Sequence, residues 1–268
     1  MSRLGAALRY GMRVVRDPGR LAQLHYSNVL ATAHLLLEPD DAGVLGRLFP
    51  VSPTDVARLD RDLTDDDAFR TTIETRWLVI RGRPMRLFGP TSAEDEVPHA
   101  RLLYHAVRLQ RPAVVVETGV LDGIGTAFLL KALRDNGTGR LCSIDLPARR
   151  PVAASTDRMR FGTLPHGHEP GWLVPDDLRA RWTLRTGSSR DVLPGWLGEL
   201  GTIDVFVHDS LHTRAHMTWE LMSAWPALAR GGLLVSDDVF WNRAFPAFCR
   251  RQRVTGVIAR GMGFARRP

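Results

Sequence analysis

The sequence predicts an α/β fold, a mostly parallel sheet with helices on both faces. Three observations predict it. From Ser92 onward, short apolar or β-branched runs alternate with helical patterns. The run Val114-Val115-Val116-Glu117 ends in an acid and opens through Gly119, Gly123 and Gly125 into an apolar helix. Later runs end the same way, at Asp145, at His208-Asp209 and at Ser236-Asp237-Asp238. In open parallel sheets, ligands bind beyond the carboxyl ends of the strands.

Residues 1–92 read as a helical cap or oligomerisation region, and residues 93–268 as the sheet domain. In the first part, Leu21 to Leu37 carries apolar residues at helical spacing, and Ser52-Pro53-Thr54-Asp55 reads as a helix start with Ser52 as N-cap. Thr71 to Leu87 is mixed, with a short strand expected near Trp77–Ile80. In the second part, Glu94 to Leu109 is amphipathic and Arg111-Pro112 ends it. The predicted order is then strand 113–117, helix 126–136, strand 140–145, helix 176–181 and strand 183–186. It continues with a helix near 191–200, strand 203–208, helix 213–229, strand 233–236 and helix 242–252. Two short strands at 254–259 and 263–266 close the chain. Pro147 to Pro175 is long for a connection, and such segments often form lids or substrate walls.

Composition narrows the class. The chain has 268 residues, two cysteines and a formal charge of +7. Cys142 and Cys249 form no C-x-x-C motif, and the basic first 16 residues lack a signal-type apolar core, so a cytoplasmic protein is expected. No apolar run reaches the about 20 residues that span a bilayer. The positive charge is nearly all arginine, with Lys131 the only lysine, and it is scattered. A basic stripe interleaved with aromatics is missing, which argues against nucleic acid as a partner.

The turn after the first strand reads E-x-G-x-x-x-G-x-G rather than the G-x-G-x-x-G of dinucleotide sites, and no Walker lysine follows. Glu117 at the strand tip would repel phosphate. It suits a ligand carrying an ammonium and a sulfonium, of which S-adenosylmethionine is the common one. Gly119 and Gly123 would let the backbone approach that ligand, or serve as plain turn glycines. Asp145 could accept both ribose hydroxyls, or cap a turn. In Thr186-Gly187-Ser188-Ser189, the serines could bond an adenine edge, or Ser189 could cap the next helix.

On Glu117-Thr118-Gly119-x-x-x-Gly123, Asp145, Gly187-Ser188-Ser189-Arg190-Asp191, Asp209-Ser210-Leu211-His212 and Asp237-Asp238, residues 94–268 resemble class I S-adenosylmethionine-dependent methyltransferases. They look most like the metal-dependent small-molecule O-methyltransferases, such as the catechol and cephalosporin-cluster enzymes. The resemblance implies a Rossmann-like seven-stranded sheet with an antiparallel strand among its last two. It also implies S-adenosylmethionine held by Glu117, Gly119, Gly123, Asp145, Ser188, Ser189 and Asp209, and a metal, Mg²⁺, held by Asp209, Asp237 and Asp238. The last position is often Asn in that family, so Asp238 adds a charge. Helix or loop capping is the alternative role for Asp237 and Asp238.

Three carboxylates converging on one sheet edge need a cation or a proton among them. All-oxygen donors suit Mg²⁺, which would lower the pKa of a substrate hydroxyl. His212, three residues after Asp209, stands where the catechol enzyme carries its basic lysine; with Asp209 it forms the expected catalytic pair, His212 taking the hydroxyl proton at a near-neutral pKa. Zinc at His208, His212 and His216 is rejected, because His208 should lie in the strand and point elsewhere. The expected function is O-methylation of a small-molecule hydroxyl, on a sugar or natural product. The rivals are a metal-independent N- or C-methyltransferase and a non-catalytic binding protein of the same fold. A homo-oligomer is compatible with the sequence.

Overall fold

A computed structural model describes residues 39–82, 97–147 and 163–268. The helix expected over 21–37 lies outside the described residues, as does most of the long 147–175 segment.

Three helices come first: α1 (Asp41–Leu45), α2 (Pro53–Thr64) and α3 (Asp67–Arg81). Ser52 caps α2, with Pro53 in its first turn and Asp55 returning the bond to form a capping box. The short strand expected near Trp77–Ile80 is instead the end of α3, which Asp66 caps at its start. Phe69, Ile73 and Trp77 recur every four residues and are all buried. That period puts them on one helix face, and it overrides the β-branched content of the segment.

Helix α4 (Pro98–Gln110) ends at Arg111, which takes a left-handed conformation before Pro112. Then follow β1 (Val114–Thr118), α5 (Ile124–Asn136), β2 (Arg140–Asp145), a 3₁₀ turn at Asp176–Arg181, β3 (Trp182–Thr186) and α6 (Ser189–Leu200). The chain closes through β4 (Ile203–His208), α7 (Arg214–Ala224), β5 (Leu228–Ser236), α8 (Ala244–Gln252), β6 (Gly256–Ala259) and β7 (Met262–Arg266). The helix expected to reach residue 229 stops at Ala224, because Pro226 lacks the N–H that an α-helix would need and a 3₁₀ turn replaces it.

The seven strands lie in the order β3-β2-β1-β4-β5-β7-β6. All pairs are parallel except those of β7, which runs antiparallel to β5 and β6. The fold is the Rossmann-like seven-stranded sheet, with a helical N-terminal region packed beside it. Residues of α1, α2 and α3 share a single apolar cluster with α4, α5 and one face of the sheet. Buried charges sit at that seam. The lone lysine, Lys131 on α5, pairs with Asp135 and Asp66, and Arg101 on α4 pairs with Asp60 on α2. The opposite face of the sheet packs on α6, α7 and α8 through Trp196, Leu221 and Phe248. No helix among the described residues is long and apolar enough to cross a membrane.

Candidate active site

Strand order reverses between β1 and β4, so the crevice between them is where a parallel sheet opens to ligand. Four backbone hydrogen bonds carry the ladder one residue past the strand ends. Gly119 N donates to Ile144 O, Gly187 N to Asp145 O, Asp209 N to Thr118 O and Asp237 N to His208 O, all at 2.8–2.9 Å. Each loop therefore starts at a level set by the neighbouring strand. This is why Asp145, Asp209 and Asp237, spread over 93 positions of sequence, reach one rim.

Asp145 ends β2 with one carboxylate oxygen bonded to Val120 N (3.2 Å) and the other buried without a partner. Burial raises its pKa, and the Val120 and Leu121 amides oppose that rise. An acceptor left open in this way fits a ribose diol. Leu146, next along the chain, is a large apolar side chain that remains 63 % exposed. It offers an apolar surface beside Asp145, and the sequence analysis passed over it.

Glu117 is placed differently from the expectation. Its carboxylate does not project from the strand tip; it is buried and accepts hydrogen bonds from Ser143 (2.7 Å) and Thr126 (2.9 Å). Desolvation pushes its pKa to about 7; the two hydroxyls oppose this and the Asp145 charge adds to it. Gly119 and Gly123 hold positive φ, at 87° and 90°. Their close contacts are with protein. A Cβ on Gly119 would meet the Asp209 carbonyl, and one on Gly123 would meet Gly171. The turn between them is fastened from outside: Gly171 N donates to Leu121 O, and Trp172 Nε1 to Asp122. Ser188 caps α6, and Ser189 is buried against His216 (3.0 Å).

On the other side of the crevice, the charges of Asp237 and Asp238 act on Asp209. The Asp209 pKa rises well above the usual range, through desolvation and through the charges of Asp237, Asp238 and Glu117. With 46 % of that side chain still exposed, the crowding of charge is the decisive cause. Asp238 sits in a left-handed conformation at φ 52°, which an aspartate tolerates. His212 is buried, with Nε2 3.6 Å from Asp209, 3.7 Å from Asp238 and without a hydrogen bond. Burial lowers its pKa to about 4, aided by His208, rather than leaving it near neutral. Among the described residues, no three His, Cys, Asp or Glu side chains are drawn together as a ready-made metal site. Asn242 accepts from Ala244 N at the start of α8 and donates to the His212 carbonyl.

His208 does end β4, as expected, but its ring meets that of His212 at 5.4 Å between centroids. Both His208 and His216 bond Glu220, a residue the sequence analysis missed. The four-residue spacing of the three histidines was the available signal, and it pointed to a buried carboxylate.

A seven-stranded sheet of this order, with acids lining its switch point, defines the class I methyltransferases. Residues 116–239 match a family model described as a methyltransferase domain. Over those residues the chain carries a methyltransferase domain, on the sheet topology of the class I, S-adenosylmethionine-dependent methyltransferase fold. Its fold is similar to that of the S-adenosylhomocysteine-bound methyltransferase PaMTH1 of Podospora anserina (TM-score 0.50, 13 % identity, 82 % of this chain and 98 % of that one). A methyltransferase of Geobacter sulfurreducens (TM-score 0.47, 21 %, covering 81 % and 96 %) is also similar. So is the O-methyltransferase TomG of Streptomyces achromogenes, from tomaymycin synthesis (TM-score 0.47, 17 %, covering 75 % and 89 %). No curated protein matches the sequence.

Proposed function

We propose that this chain moves the methyl of S-adenosylmethionine to a hydroxyl of a small molecule, a sugar or natural product, in the cytoplasm. The observation that carries the reading is that two buried polar atoms lack hydrogen-bond partners at the carboxyl end of the sheet. Asp145 offers an open acceptor on the cofactor side, and His212 an open Nε2 on the other. In the transfer, the hydroxyl oxygen bonds to the methyl carbon as the carbon–sulfur bond breaks, giving an ether, S-adenosylhomocysteine and a proton. Bound S-adenosylmethionine supplies the electrophilic methyl. Asp145 takes the ribose hydroxyls, with the 119–123 turn and Ser188 around the cofactor. His212, neutral at physiological pH because burial holds its pKa to about 4, can accept the released proton.

A base this weak needs an acidified substrate. Asp209, Asp237 and Asp238, though not drawn together as a ready-made site, are the oxygen donors that would hold Mg²⁺, and that ion would supply Lewis-acid lowering of the hydroxyl pKa. One argument favours a second reading, metal-independent transfer: the raised Asp209 pKa lets a proton rather than a cation relieve the repulsion among these acids. Calorimetric titration with S-adenosylmethionine, with and without Mg²⁺, tests both. Binding in the low-micromolar range supports the cofactor site, and its absence ends the reading. Activity lost to a chelator and restored by Mg²⁺ selects the metal-assisted form; activity indifferent to chelator selects the other.

A further inference from the structure

Beneath the rim lies a second convergence point, the carboxylate of Glu220 on α7. It is fully buried. Thr118 Oγ1 (2.5 Å) and His208 Nδ1 (2.6 Å) reach one of its oxygens; Ser210 Oγ (2.8 Å) and His216 Nε2 (2.9 Å) reach the other. His216 Nε2 is also 3.0 Å from Ser189 Oγ. Burial alone would raise the Glu220 pKa. The His208 charge and the hydrogen bonds from His208 and His216 outweigh it and hold the group ionised.

A buried carboxylate is an expensive way to fill space, since an apolar side chain of the same volume costs no desolvation. What it gains is geometry. With both oxygens doubly engaged by charge-assisted bonds, each donor is held in one place. Three of the four donors adjoin the crevice: Thr118 precedes Gly119, and His208 and Ser210 flank Asp209; the fourth, His216, carries the link on to Ser189 at the start of α6. One side chain thus ties the ends of β1 and β4 and the start of α6 to a single point on α7.

We propose that Glu220 is a positioning residue, which fixes the relative placement of the 118–119 and 208–210 segments and so pre-organises the cofactor side of the crevice. It touches neither cofactor nor acceptor, and the inference rests on the methyltransferase reading of that crevice.

The test uses Glu220→Gln, Ser210→Ala and Thr118→Val in the full chain, studied well below their melting temperatures. Calorimetry with S-adenosylhomocysteine should show the Kd rising about tenfold for Glu220→Gln and about threefold for Ser210→Ala. Ser210→Ala should add nothing in the Glu220→Gln background, because its partner is already altered. Amide hydrogen exchange should quicken at 118–119 and 209–212 and stay unchanged in β5. A role in stability alone would lower the melting temperature while leaving the Kd of folded protein, and the local exchange, at parental values; that result overturns the proposal. Equal effects of Ser210→Ala in both backgrounds also overturn it. Should Glu220→Gln not fold, parental Kd and exchange in both single hydroxyl variants overturn it. Exchange needs no ligand, so a parent that fails to bind S-adenosylhomocysteine sinks the methyltransferase reading while Glu220 is still decided.

Discussion

The carbonyl oxygen of Asp209 occupies the space into which a Cβ on Gly119 would project, 2.0 Å from its position. The turn after β1 and the turn after β4 therefore touch backbone to backbone, and neither can move aside by rotating a side chain. Gly119→Ala meets this overlap and a φ of 87° together. We expect a loss of about 2–4 kcal/mol in denaturant unfolding. Binding of S-adenosylhomocysteine should fall in parallel, since the turn and the Asp209 segment must part. Parental stability in this variant would refute the contact.

Asp145 and Asp237 should separate binding from chemistry. Asp145→Ala removes the open acceptor and should weaken S-adenosylhomocysteine binding about 10- to 100-fold, as for a hydrogen bond to a charged group. The melting temperature should change little, because removal of a buried oxygen without a partner offsets loss of the acceptor for Val120 N. Asp237→Ala should bind the same ligand normally and lose methyl transfer to any hydroxyl acceptor the parent uses. Normal turnover in Asp237→Ala would count against the acid cluster as the acceptor site.

Glu117 should make stability fall with rising pH. Its pKa climbs from 4.5 in the unfolded chain to about 7 in the fold. The native state thus binds the proton more tightly, so the stability it adds is intact below about 4.5 and is lost as pH rises to about 7. Glu117→Gln keeps a partner for Ser143 and Thr126 without the titration. The melting temperature of the variant relative to the parent should be clearly higher at pH 8 than at pH 5. A constant difference would show that the carboxyl does not titrate in that window.

His105 on α4 works the other way. It lies buried between Asp60 (3.3 Å) and Asp41 (3.6 Å), which Arg101 and Arg260 in turn contact. Burial lowers its pKa, but the two carboxylates more than reverse this and leave it above 6.5. Its stabilising contribution is complete below pH 6.5 and is lost as pH rises through the folded-state value. His105→Gln should therefore lower the melting temperature by several degrees at pH 6, at about 2–4 °C per kcal/mol, and by much less at pH 9. Because Asp41 and Asp60 belong to α1 and α2, the loss should appear first as faster exchange in those helices.

Much of the architecture was legible because local chemistry repeats it. The Ser52–Asp55 capping box, the arginine-proline stop at 111–112 and the alternation of β-branched runs with helical periods place most elements within a few residues. The misreadings have local causes too. Trp77–Ile80 is rich in strand-favouring residues, and the burial of Phe69, Ile73 and Trp77 on a four-residue period makes it the end of a helix. For Gly119 and Gly123 the sequence leaves open close approach to a ligand or a plain turn role, and the structure adds that a side chain there would meet Asp209 and Gly171.

By itself, then, the amino-acid order determined that acids stand at the ends of successive parallel strands, since that follows from period and punctuation along the chain. Which of those acids stay open and which turn inward was decided only by folding. Glu117 is claimed by Ser143, 26 residues away, and Thr118 by Glu220, 102 residues away, while Asp145 keeps a free oxygen. A carboxylate's role depends on the donors that surround it, and those donors arrive from other strands and helices only when the sheet closes.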